Sequence, residues 1–95
     1  MLSFSPLELS KLKKEEIDKE ILRLAIVAEL DAVSLYEQMA QTTDNKEMKK
    51  VLLDIAKEEK THVGEFQALL LKADHEQKQG LREGEKEIGE ILNSQ

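Results

Sequence analysis

Residues 17–40 carry apolar side chains around far more of a helix than one neighbouring helix can cover. One line holds Leu22, Ala25, Ile26, Val33 and Ala40, with Glu29 and Tyr36 in the same register. An adjoining line holds Ile17, Ile21, Leu24, Ala28, Ala32, Leu35 and Met39. At about 100° per residue the two lines span roughly 200° of the circumference, whereas a helix on a globular surface needs a stripe of about 100°. A chain of 95 residues buries only a modest fraction of its surface. The surplus therefore points to a second chain packed on the first.

A second stripe of 3.6-residue period runs Met48, Val51, Leu52, Ile55, Glu59, His62, Val63, Phe66, Leu69 and Leu70. Glu59 and His62 fall in its middle, within roughly 60° of each other. A carboxylate and an imidazole inside an apolar stripe cost several kcal/mol unless they are paired or bind a metal.

The spacing predicts an all-α fold of one domain over residues 1–95. It comprises a lead-in at 1–13, helices over about 14–41 and 45–72, and a short C-terminal helix over about 77–92. Thr42, Thr43, Asp44 and Asn45 break the pattern between the long helices, and Asp44 with Glu47 reads as the capping box that opens the second. Two long helices joined by a short turn form an antiparallel hairpin. Ala73, Asp74 and His75 read as a turn, with His75 an exposed histidine. Gly80, Gly84 and Gly89 punctuate the third helix. The run Glu83, Glu85, Lys86, Glu87, Glu90 reads as a solvated face.

Composition removes several functions. The chain has no cysteine, so disulfides, thiolate metal sites, iron–sulfur clusters and a rubredoxin-type iron centre are excluded within it. Its net charge is −6, a balance that argues against nucleic acid as a partner. No apolar run approaches the roughly 20 residues of a membrane helix, and Met1–Pro6 lacks the pattern of a signal peptide. The expectation is a soluble, intracellular protein.

Glu29 and Glu59-x-x-His62 are the candidate metal ligands and catalytic residues. A four-helix site for two metal ions takes one Glu from each of two helices and a Glu-x-x-His pair from each of the other two. One hairpin supplies half of that set, and two hairpins supply all of it. Carboxylates are hard donors able to bridge cations, and imidazole suits iron, manganese or zinc. Four carboxylates balance two divalent ions, which removes the objection to burying them. Tyr36 stands two turns beyond Glu29, placed to hydrogen-bond a ligand carboxylate from outside the ligand set. Glu58 lies about 80° from the stripe centre and reads as solvated.

The segment Glu29-Leu30-Asp31-Ala32-Val33-Ser34-Leu35-Tyr36-Glu37-Gln38, followed by Glu58-Glu59-Lys60-Thr61-His62, resembles the ferritin-like proteins, specifically the encapsulated ferritins. The resemblance covers roughly residues 14–72. It implies two hairpins dimerising into a ferritin-like four-helix bundle around a di-iron ferroxidase centre, and a ring of such homodimers, a decamer, as the working form. It further implies cargo status inside an encapsulin nanocompartment in the cytoplasm, where the oxidised iron is stored. By position, Glu29 would bridge the irons and Glu59 and His62 would bind terminally, with Tyr36 beside them. Asp31 matches an acid of an outer metal-attracting site, while Ala28 and Leu35 depart from the acid and tryptophan found there in the family. The alternatives on this scaffold are a rubrerythrin-like peroxidase, a manganese catalase, or a helical oligomer that metal only bridges.

Overall fold

The computed structural model describes residues 13–94, which form three α-helices and, among the described residues, no strand: α1 Lys14–Thr42, α2 Lys46–Ala73 and α3 His75–Asn93. The lead-in expected at 1–13 lies outside the described residues except for Lys13. Glu37 pairs with Lys60 at 3.0 Å and Arg23 with Asp74 at 2.7 Å. Partner numbers rise along one helix as they fall along the other, so α1 and α2 form an antiparallel hairpin, as the spacing predicts.

The turn is built from side-chain hydrogen bonds. The Thr42 hydroxyl donates to the Gln38 carbonyl at 2.8 Å, and the Thr43 N–H donates to the Met39 carbonyl at 3.1 Å, closing α1. Asn45 then caps α2: its Oδ1 accepts the Met48 N–H at 3.0 Å, and its own N–H donates to Thr43 Oγ1 at 3.1 Å. The Asp44–Glu47 capping box expected from the sequence does not form. The extended backbone that a cap requires falls at Asn45, with φ −79° and ψ 112°, and the helix begins one residue later. A cap of this kind contributes about 1 kcal/mol.

The hairpin has almost no interior of its own. Among the described residues its buried apolar side chains are Val33 and Ala40 from α1 and Ala56 and Leu70 from α2, and no large side chain is fully buried. Ile21, Leu30, Leu35, Val51 and Leu69 are each about half exposed. The radius of gyration is 17.1 Å, against about 12 Å for a compact domain of this length. Two helices bury one stripe each, and Ile21, Ala28, Leu35 and Met39 of the second apolar line of α1 are left exposed.

The third helix is longer and less interrupted than the sequence suggests. It starts at His75 rather than near Gln77 and passes through Gly80, Gly84 and Gly89 without a break. Asp74 explains the earlier start, because its Oδ1 accepts the Gln77 N–H at 3.0 Å and caps the helix. His75, expected in a turn, is therefore the first residue of α3; it is exposed, as anticipated, and sits beside Gln79. Asp74 is also the one buried charged residue among those described. Its other oxygen accepts from Arg23 Nη2 at 2.7 Å, which ties the root of α3 to α1. No described helix is long and apolar enough to cross a membrane.

The Gln77 N–H and the Arg23 guanidinium hold the Asp74 carboxyl below its ordinary value of 3.8, against the opposing effect of burial. A carboxylate whose pKa is depressed by folding stabilises the fold above its unfolded value, and that stabilisation disappears as pH falls through the folded value. Asp74→Asn is therefore expected to lower the neutral-pH melting temperature and to flatten its decline below about pH 3.8. Thermal melts followed by circular dichroism across that range check this. A variant whose curve overlays the parent's would show that the joint contributes nothing.

Candidate metal centre

Three side chains from two helices converge at mid-hairpin. Glu29 comes from α1, and Glu59 and His62 come from successive turns of one face of α2. His62 Nδ1 lies 3.2 Å from Glu29 Oε2 and 3.6 Å from Glu59 Oε1. One ligating atom from each of the three falls within 4.8 Å of the other two. The helices make this possible because the antiparallel register puts residue 29 level with the turn holding 59 and 62.

The cluster is partly open. The side chains of Glu29 and Glu59 are 22% and 18% exposed and that of His62 is 43% exposed. The Glu37–Lys60 pair marks one side of the α1–α2 seam. At about 100° per residue, Ile21, Leu35 and Met39 on α1 and Val51, Leu69 and His62 on α2 all turn to the other side. The imidazole thus looks out from an exposed apolar face.

In the absence of a cation, Glu59 and His62 each keep a proton more tightly than the free group does. The hydrogen bond shared with Glu29 raises the Glu59 pKa above its ordinary 4.5, helped by burial and by the Glu29 charge and opposed by His62. The hydrogen bond to Glu29 also raises the His62 pKa above 6.5; the charges of Glu59, Glu29 and Glu65 add to this, and burial opposes it. Each shift opposes loss of the proton, so a divalent cation, which needs the deprotonated ligands, competes with protons for these groups. Two carboxylates and an imidazole fit an iron, manganese or zinc ion by donor chemistry. Three donors from one chain are half of a two-metal set.

The structure brings together all three residues singled out by spacing. Tyr36 is not joined to them within the chain. It is half-buried on α1, seven residues or about 10 Å of helical rise beyond Glu29, with no hydrogen bond to the three donors among the described residues. Glu58 is exposed. Asp31 lies in a shallow groove with Ala28, Ala32, Ser34, Leu35 and Gln38, and no second acid joins it there. Sequence reasoning missed Arg23 and Asp74, which set the root of α3. The Asp74-x-x-Gln77 spacing resembles a capping box and was the available signal.

The sequence profile described as Rubrerythrin matches residues 20–91. Among solved structures, the encapsulated ferritin domain from Pyrococcus furiosus superposes with a TM-score of 0.83 at 48% identity, covering 100% of this chain and 99% of that one. The chain belongs to the rubrerythrin family, among the encapsulated ferritins. This encapsulated ferritin is also 53% identical over 94 residues to the ferritin-like–encapsulin shell fusion protein of P. furiosus, covering 96% of this chain and 27% of that protein. It is 39% identical over 67 residues to the encapsulin nanocompartment cargo protein EncC of Myxococcus xanthus, covering 70% of this chain and 51% of that one. The chain thus spans about a quarter and about half of these curated relatives.

Proposed function

We propose that two copies of this chain oxidise Fe(II) to Fe(III) at a di-iron site shared between them, each copy giving Glu29, Glu59 and His62. The observation that carries this reading is the convergence of those three donors within 4.8 Å beside an exposed apolar face. Pairing two such faces doubles the donors and covers the greasy surface at once. The iron is substrate. Four carboxylates balance the charge of two ferrous ions, and these hard anionic oxygen donors favour the more highly charged ferric product. Each ferrous ion gives up one electron; dioxygen takes both electrons and two protons and leaves as hydrogen peroxide. In this reading Glu29, 3.2 Å from His62, bridges the two ions. Glu59 and His62 bind terminally. Tyr36, too far from its own chain's donors, serves the shared site only by approaching ligands across the dimer.

Storage inside an encapsulin shell is the setting supported by the two curated relatives, a ferritin-like–encapsulin shell fusion protein and an encapsulin nanocompartment cargo protein; the exposed apolar surface supports homodimers arranged in a larger ring. A rubrerythrin-like peroxidase is the second reading, favoured by the family profile; the missing cysteines leave it without a built-in electron-transfer iron centre. Native mass spectrometry of anaerobic protein titrated with Fe(II) tests the main reading. Two iron ions per pair of chains are expected, followed by ferric absorbance on admitting air. One ion per single chain, or none, would end the shared-site proposal. Peroxide turnover faster than dioxygen consumption would favour the second reading.

A further inference from the structure

Nothing in the local sequence obliges α2 to stop where it does. Residues 65–79 contain neither glycine nor proline, so no strong helix breaker stands near the junction. Yet Asp74 alone leaves the helical conformation, with φ −133° and ψ 89°, and α2 and α3 separate there. The break forgoes backbone hydrogen bonds. Among the described residues the N–H groups of His75 and Glu76 reach no backbone carbonyl, and that of Gln77 donates to Asp74 Oδ1 at 3.0 Å. In an unbroken helix these three groups would donate to the carbonyls of Leu71, Lys72 and Ala73.

One side chain holds the bend. Asp74 caps α3 through Oδ1, and its Oδ2 accepts from Arg23 Nη2 of α1 at 2.7 Å. The far part of α3 gives no help, because its described residues beyond Lys78 are exposed apart from Gly89. Release would not strand the guanidinium, since Arg23 Nη1 already lies 3.3 Å from Glu20 Oε2. The bent and straight shapes differ grossly. A helix unbroken from Lys46 to Asn93 would be about 72 Å long. The body measures 48 × 46 × 21 Å, so α3 leaves α2 at a steep angle.

We propose that the Arg23–Asp74 pair is the latch of a two-state joint: closed, it holds α3 bent away from the hairpin, and open, it lets α2 and α3 join into one helix. Such an element needs two conformations of similar free energy and a contact made in only one of them. The backbone bonds forgone at residues 75–77 stabilise the straight state, and the two contacts of the Asp74 carboxylate stabilise the bent one. Leu81, Ile88, Ile91 and Leu92 are exposed on α3, and the joint decides in which direction they are offered. A partner that draws off either Arg23 or Asp74 would redirect them. The joint lies about 18 Å along α2 from His62, and its state does not depend on the metal reading.

Distances between spin labels read the joint directly, and the absence of native cysteine keeps the label sites unique. Lys57 on α2 and Glu87 on α3 are both exposed. In full-length Lys57→Cys/Glu87→Cys protein, diluted with unlabelled chains, a right-angled joint sets the labels about 32 Å apart and a straight helix about 45 Å. The parent is expected to show the shorter distance, and Asp74→Ala and Arg23→Ala the longer one. Arg23→Ala keeps the α3 cap and removes a side chain that is 46% exposed, so it tests the latch even where Asp74→Ala fails to fold. His75→Pro supplies the rescue. Proline suits the first position of a helix, where its missing N–H is not needed, and it disfavours helical backbone at the residue before it. Added to either alanine variant, it should restore the shorter distance. The parent distance in a folded alanine variant, a broad spread without the 45 Å population, or a long distance that survives the proline would overturn the proposal.

Discussion

Glu59→Ala and His62→Ala are each expected to reduce Fe(II) oxidation to the rate of free iron in the same buffer, a loss of about 100-fold or more. Removing a group that merely supports a ligand already costs about 10–100-fold, and these two residues are the candidate ligands themselves. The fold should survive both changes. Neither side chain is fully buried, and the residues that pack α1 against α2 are Val33, Ala40, Ala56 and Leu70. Stopped-flow absorbance after mixing anaerobic iron-loaded protein with air gives the rate, and far-UV circular dichroism gives the helix content. Glu58→Ala is the control, since Glu58 is adjacent in sequence, exposed and turned off the stripe; it should oxidise at the parent rate. Parent-like oxidation by both alanine variants, with helix content intact, would remove the site assignment altogether.

Leu35→Arg is expected to produce monomers that oxidise no iron although Glu29, Glu59 and His62 are all present. Leu35 is 54% exposed in the single chain and shares its side of the seam with Ile21, Met39 and His62. A guanidinium buried there without a partner carries a penalty of several kcal/mol on each side of a two-fold contact, enough to dissociate most dimers at micromolar concentration. The change lies six residues from Glu29 and touches no donor, so lost activity would follow from lost association. Sedimentation gives the mass and the oxidation assay gives the activity. A monomeric Leu35→Arg protein that still oxidises iron at the parent rate would show that one chain suffices.

The long helices and the three donors were legible in the sequence because each is a matter of period. A stripe of apolar residues at 3.6 spacing fixes which side chains share a face, and Glu59 with His62 announced themselves by being wrong for that face. The surplus of apolar surface on α1 was legible for the same reason, since circumference can be counted from spacing alone. Caps were harder. Asp44 and Asn45 are both good caps, and which one is used depends on where the backbone leaves its extended conformation, set by the Thr43 bonds that close α1. The length of α3 was hidden by its three glycines, whose individual cost of about 1 kcal/mol reads locally as interruption. The joint between Arg23 and Asp74 spans 51 residues, and no local pattern could have paired them.

A hairpin with no large side chain fully buried has a further consequence for how the protein is made. If two copies share the site as proposed, pairing adds the buried surface that the hairpin lacks, so the stability of the helices rises with the abundance of the polypeptide. A lone newly synthesised chain would hold half a centre. On the same reading, centres would appear at low abundance with roughly the square of the number of chains, tying the capacity to handle iron to how strongly the gene is read.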